Sequence, residues 1–120
     1  MERRFYTRLG VNIDSSFVLQ RQNPIEITGT ILDICEEGMN VIFLEELELQ
    51  KDFVDFQFYT YLNYMNQVEK QYLVTGKAEI VWIDKSKNMA GMIFRQHSDA
   101  LDSFISDLKV SEFVDHKCII

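Results

Sequence analysis

The feature that most restricts this chain is an alternation of apolar and polar side chains at period two, sustained over two long runs. From Phe53 to Asn63 one face reads Val54, Phe56, Phe58, Thr60 and Leu62. The other reads Phe53, Asp55, Gln57, Tyr59, Tyr61 and Asn63. Successive side chains of a strand point to opposite faces, so the first set forms a core face and the second an amphipathic outer one. A helix would scatter both sets around its circumference. Residues 72–83 repeat the pattern, with Tyr72, Val74, Gly76, Ala78, Ile80 and Trp82 on one side and Leu73, Thr75, Lys77, Glu79, Val81 and Ile83 on the other. The stretch between the runs, "NYMNQVEKQ", reads as a hairpin loop.

The same signal predicts shorter strands at 11–20, 25–33, 39–44 and 89–95, separated by the turn-forming stretches "RQNP", "EEG", "LELQKD" and "DKSKN". Six strands at this spacing suit a small antiparallel barrel or closed sandwich, because closure removes exposed strand edges. The period then changes. In "SDALDSFISDLK", Leu101, Phe104, Ile105 and Leu108 recur at i, i+3, i+4 and i+7, a helical stripe. Ser98 is placed to cap that helix, with Asp99 and Asp102 at the positive end of its dipole and Lys109 at the negative end. The expectation is a mainly β fold, a barrel over 11–95 with one helical segment over 98–114 packed on it.

With 47% hydrophobic residues and a single proline, a chain of 120 residues can bury a core without disulfides or metals. No linker, repeat or low-complexity stretch argues for a second domain. Cys35 and Cys118 make neither a disulfide framework nor a metal-ligand spacing. The chain start lacks the pattern of a signal peptide, and no apolar stretch is long enough to span a bilayer. A cytoplasmic location is expected, without membrane insertion, as a monomer or weak dimer. His97 and His116 have no Cys or carboxylate partner at ligand or triad spacing and read as surface residues flanking the helix. P-loop, GxGxxG and GxSxG motifs are missing from the sequence, so no enzyme activity, catalytic residue, metal or cofactor is expected. Trp82 and the aromatic residues of 53–64 read as core by their period, not as a stacking platform.

The net charge of −7 argues against sequence-independent binding of the body of the protein to nucleic acid or an anionic membrane. Yet three of the five arginines, Arg3, Arg4 and Arg8, fall in the first eight residues, which carry a net +2 while the remainder carries −9. Each guanidinium offers a planar fork of donors suited to phosphate oxygens or to the O6/N7 edge of guanine, and a flat face for stacking on a base. Asp33, in "DICEEG", is complementary: an ionised carboxylate can accept from the N1 and N2 donors of guanine. Gly38 is expected to take a positive φ at the turn and to leave room for a ligand against the backbone. Arginine and aspartate together suit a ligand that carries both phosphate and guanine.

These residues resemble the signature of the PilZ domain family, RxxxR followed further along by [D/N]xSxxG. Arg4 and Arg8 match the first part. Asp33 and Gly38 match the second, which begins 25 residues after Arg8. "TGTILDICEEGMNV" resembles the strand–turn–strand around the family motif, and "GKAEIVW" and "AGMIF" resemble its later barrel strands. The resemblance implies a PilZ-like barrel that binds the bacterial second messenger cyclic di-GMP. A flexible arginine-bearing arm over 1–10 would fold onto the barrel: Arg4 and Arg8 hold guanine and phosphate, Asp33 accepts from guanine, and Cys35 and Gly38 shape the turn. Arg3, just before RxxxR, is an auxiliary contact bearing on ligand number. With no output domain evident, signalling would pass through an unidentified effector protein in control of motility, attachment (biofilm) or exopolysaccharide. One position departs from the pattern. Cys35 stands where the family has Ser, and loss of one neutral hydrogen bond there would cost roughly 1 kcal/mol, weakening binding several-fold. That departure supports an alternative, a divergent PilZ-like adaptor that binds no nucleotide and acts only through protein–protein interaction.

Overall fold

In the computed structural model, which describes residues 9–63 and 69–111, the alternation becomes six strands. These are β1 (Leu9–Leu19), β2 (Ile25–Ile34), β3 (Gly38–Phe43), β4 (Phe53–Asn63), β5 (Glu69–Asp84) and β6 (Met89–Gln96), followed by helix α1 (Asp99–Ser111). All neighbouring strands are antiparallel, and they close into a barrel in the order β1-β2-β3-β6-β5-β4. The expected six-stranded barrel with a C-terminal helix is therefore the observed fold.

Boundaries shift by a few residues. Leu9 and Gly10, expected in the arm, already belong to β1. Pairing of β4 with β5 runs without interruption from Phe53↔Glu79 to Asn63↔Glu69, so β5 starts three residues before Tyr72. The expected loop over 63–71 thereby narrows to 64–68, which lies outside the described residues, as does the helical extension beyond Ser111.

The interior is filled from every strand, with Phe17, Ile31, Met39, Val54, Val74, Ile80 and Met92 essentially without solvent contact. Helix α1 lays its predicted stripe, Leu101, Phe104, Ile105 and Leu108, into this core. The Phe104 ring meets Phe58 and Tyr72 edge-on, with centroids 5.5 and 5.2 Å away. Ser98 caps the helix as expected: its Oγ accepts from the Leu101 amide at 3.1 Å and donates to the Thr75 carbonyl at 3.1 Å. The Tyr72 hydroxyl and Lys70, at 2.9 Å, both bind Asp107, fixing the helix against β5. His97 is an exposed residue beside Asp102, with 2.7 Å between Nδ1 and Oδ1.

The loops are held by local chemistry. Arg21 donates to Asp52 Oδ2 from Nε (3.0 Å) and Nη2 (2.7 Å), and Nη2 also reaches the Glu48 carbonyl at 2.8 Å. Hydrogen bonding to that carboxylate raises the Arg21 pKa above its usual value, outweighing desolvation. In the β5–β6 turn Asn88 takes a positive φ of 55° and donates to the carbonyls of Phe43 (2.9 Å) and Glu45 (2.7 Å). Among the described residues no helix is long and apolar enough to cross a membrane.

Candidate functional site

Three interruptions in the strand register build the site. In β2, Ile31 lies opposite Val41 and Ile34 opposite Met39, and all four are core residues. Strict alternation from Ile31 would turn Asp33 inward as well. Instead the register shifts between Ile31 and Asp33, so one extra residue reverses the phase and Asp33 faces outward, opposite Asn40 of β3. A second shift, between Gly10 and Ile13 of β1, brings Gly10 opposite Asp33. The third lies between Ile80 and Trp82 of β5. There Ile80 pairs with core Met92 and Ile83 with core Ala90, while Trp82 pairs with Gly91 on the outer face.

Trp82 is thus not a core residue, contrary to the expectation from its period. The bulge turns it out and turns Ile83 in, where Ile83 packs against the core. Its indole rests on Gly91: a Cβ at that position would come within 2.0 Å of Nε1 and 2.4 Å of Cε2. Only glycine permits this contact.

The result is one row across the outer barrel face, Gly10, Asp33, Asn40, Gly91 and Trp82, contributed in order by β1, β2, β3, β6 and β5. Asp33 and Asn40 are buried although they face away from the core, with relative exposures of 6% and 3%. Asn40 Nδ2 donates to both carboxylate oxygens of Asp33 at 3.2 Å. The reverse amide orientation would press a carbonyl oxygen against the carboxylate, so the hydrogen-bond pattern fixes which end is which. Asn40 Oδ1 consequently points away from Asp33, and it is a buried acceptor without a hydrogen-bond partner. A native fold tolerates such a group only at a cost of about 1–3 kcal/mol, which marks it as one to be explained.

Beside this row lies the "DICEEG" turn. The Cys35 amide donates to the Gly38 carbonyl at 2.9 Å, and the Phe94 amide of β6 donates to the Glu37 carbonyl at 2.9 Å. Cys35 is 2% exposed, and its Sγ accepts from the Glu37 amide at 3.3 Å, so the sulfur is engaged with the backbone of its own turn. Gly38 does not take the positive φ expected of it; none of the described glycines does. Its requirement is steric: a Cβ there would lie 2.0 Å from the Met92 carbonyl oxygen, where β3 runs against β6. Glu36 forms an ion pair with Lys109 in the last turn of α1, tying the turn to the helix.

Arg3, Arg4 and Arg8 lie outside the described residues. The strand they lead into is described: Leu9, which follows Arg8 in the chain, pairs with Ile34, and Gly10 pairs with Asp33. Of the sequence-predicted site residues the structure thus brings Asp33, Cys35 and Gly38 together at one end of the β2–β3 hairpin. Asn40 and the outward Trp82 were missed. A polar residue inside the apolar run "MNVIF" was the available clue to Asn40, whereas period two offered none to the bulge at Trp82.

Grooves of about 360 and 400 Å³ elsewhere on the barrel are lined by residues such as Ser16, Asp55, Gln57 and Lys77, or Asp14, Thr28, Leu44 and Tyr59. They share no residue with the row and hold no buried polar group in need of a partner. Among the described residues no group of three or more His, Cys, Asp or Glu side chains is arranged to hold a metal ion.

No protein-family model matches the chain, and no curated protein matches it in sequence. Among solved structures, the inhibitor of motility MotI/DgrA of Bacillus subtilis shares its architecture, with a TM-score of 0.61 at 14% identity. The match covers 94% of this chain and 51% of that one, so the chain spans about half the length of MotI/DgrA. At this identity the likeness is one of fold.

Proposed function

We propose that this chain is a cyclic di-GMP receptor that passes its signal to a partner protein. The observation that carries the reading is the β1–β2 pairing. It sets Gly10 opposite Asp33, so the chain leaves the arginine-bearing segment directly beside the acid that would complement guanine. The RxxxR and DxxxxG elements, far apart in sequence, thereby meet at one end of the barrel.

The division of labour follows from charge. Arg4 and Arg8 supply planar, doubly donating cations for the phosphates and a stacking face for the base, and Arg3 adds a further cation. Asp33 supplies acceptors for the guanine N1–H and N2–H donors. Phosphate alone would have no use for a carboxylate, and a purine lacking that donor edge would meet it acceptor to acceptor. The role is binding, not catalysis. Because Glu36 of the turn is ion-paired with Lys109, a ligand that re-orders the turn also acts on α1, and this supplies a route from the bound nucleotide to an exposed surface. The shared architecture with an inhibitor of motility favours motility, with surface attachment and exopolysaccharide as related outputs, as the process controlled.

Calorimetric titration with cyclic di-GMP tests the reading, with cyclic di-AMP and GTP as controls. Arg4→Ala and Arg8→Ala should each cost about 1.5–3 kcal/mol of binding, roughly ten- to hundredfold in affinity. Wild-type affinity in both variants would defeat the assignment. A second reading is an adaptor that binds no nucleotide. It is favoured by the outer face of β4 and β5, where Tyr59, Tyr61 and Leu73 are each more than half exposed. A wild-type chain that takes up no cyclic di-GMP would select that reading.

A further inference from the structure

We infer that Asn40 and Trp82 make this site selective for guanine, Asn40 Oδ1 accepting the N2 hydrogen that Asp33 leaves over and the Trp82 indole forming the stacking wall. The inference rests on the receptor reading above and extends it to two residues outside the RxxxR and DxxxxG elements.

The count of hydrogens carries the first half. The donor edge of guanine presents three, one on N1 and two on N2. A carboxylate lying along that edge takes N1–H and one N2–H through its two oxygens, and the other N2–H remains. Asp33 keeps capacity for such a ligand while accepting from Asn40, because two carboxylate oxygens offer about four lone-pair positions. Beside it stands Asn40 Oδ1, a buried acceptor whose orientation is fixed by the two bonds its own Nδ2 makes to Asp33. Three acceptors then face three donors. Adenine sets an acceptor, N1, against the same group and leaves Oδ1 unpaired, so the penalty falls on the wrong base.

The second half comes from the neighbouring pair. Asn40 lies opposite Gly91, and the indole of Trp82 occupies the place a side chain at Gly91 would fill. Asn40 Oδ1 is covered in this arrangement. A base reaches it when the indole moves off Gly91, and the displaced ring then offers its face to the base. In a purely architectural role Asn40 would only pin Asp33 and Trp82 would only cover the glycine. That role predicts effects on stability with no preference among bases.

Trp82 is the only tryptophan of the chain, so intrinsic fluorescence reports on this row alone. The test titrates the full chain with cyclic di-GMP and cyclic di-AMP, followed by both calorimetry and fluorescence. Cyclic di-GMP should change the wild-type fluorescence saturably, with the calorimetric midpoint. Asn40→Ala should weaken cyclic di-GMP about tenfold and leave cyclic di-AMP within about twofold, collapsing the preference. Trp82→Ala should weaken binding about tenfold by calorimetry. Equal weakening of both dinucleotides by Asn40→Ala, or wild-type fluorescence unchanged at saturation, overturns the inference. The fluorescence arm needs no variant, so a misfolded Asn40→Ala chain does not rescue the idea. The two readings also fail differently: binding that depends on Arg4 and Arg8 but not on Asn40 or Trp82 sinks only this inference, while no binding by the wild type sinks both.

Discussion

Along β4 and the first part of β5, eleven cross-strand pairs follow one another without a break, whereas the β1–β2, β2–β3 and β5–β6 pairings all lose register. The unbroken wall does what its period demands. Val54, Phe56, Phe58 and Val74 point into the core, and Phe53, Tyr59 and Leu73 point to solvent. The interrupted wall spends extra residues to turn Asp33 and Trp82 to the outside, onto one row with Asn40. Regular pairing is sufficient to enclose a core, and it aims every side chain by parity alone. Placing a carboxylate, an amide and an indole side by side on a face that parity would not give them takes bulges, and here all three residues stand beside or opposite one.

If the two walls differ in this way, removing core volume behind the regular wall should cost stability alone. Phe104 fills the space between Phe58 and Tyr72 and is fully buried. Phe104→Ala should lower unfolding free energy by about 3–5 kcal/mol, read from urea melts. The affinity of the remaining folded protein for cyclic di-GMP should stay at the wild-type value. A loss below about 1 kcal/mol would mean that α1 is loosely docked and that the comparison is drawn in the wrong place.

Gly38 sharpens the contrast, because its role was misread from sequence. Its missing Cβ makes room for the Met92 carbonyl of the adjacent strand. Backbone cannot yield as a flexible side chain does, so Gly38→Ala should destabilise by about 1–3 kcal/mol through displacement of β3 from β6. Binding should weaken along with it as the turn shifts. A variant that kept full stability in urea but lost cyclic di-GMP would restore the role first expected, room for a ligand against the backbone.

Legibility in the sequence divides along the same line. Period two placed all six strands within a few residues, and the 3.6-residue stripe Leu101, Phe104, Ile105, Leu108 placed the helix together with its Ser98 cap. Those features depend on local pattern, and local pattern is what one sequence carries. The bulges at 32 and 81 depend on how neighbouring strands must offset to close a barrel, which no single strand reveals. Trp82 was therefore assigned to the core. Asp33 was recognised by its chemistry and its spacing from Arg8, not by its orientation, and Asn40 was missed because its role exists only through the Asp33 that register sets opposite it. Cys35 was read as a lost ligand contact, yet its sulfur accepts from Glu37 inside the turn, so the departure from Ser touches the turn's own bonding first.

The smallest expected effect separates turn chemistry from site chemistry within the interrupted wall. Asp84 ends β5, and its Oδ1 accepts from the Ser86 amide at 3.1 Å and the Ser86 hydroxyl at 2.7 Å. The hydroxyl bond leads in holding the Asp84 pKa below its ordinary 3.8. A carboxyl whose folded pKa is depressed stabilises the fold above its unfolded value, and that contribution disappears as pH falls through the folded value. The thermal midpoint of Asp84→Ala should therefore lie slightly below wild type near neutral pH, with the gap closing on acidification from about pH 4 toward pH 2. Affinity for cyclic di-GMP should not change, since Asp84 serves the β5–β6 turn and stands outside the Asp33–Asn40–Trp82 row. A gap that widened in acid would show the carboxyl to be stabilising in its protonated form. Weakened binding would carry the functional region beyond the row to the end of the barrel wall.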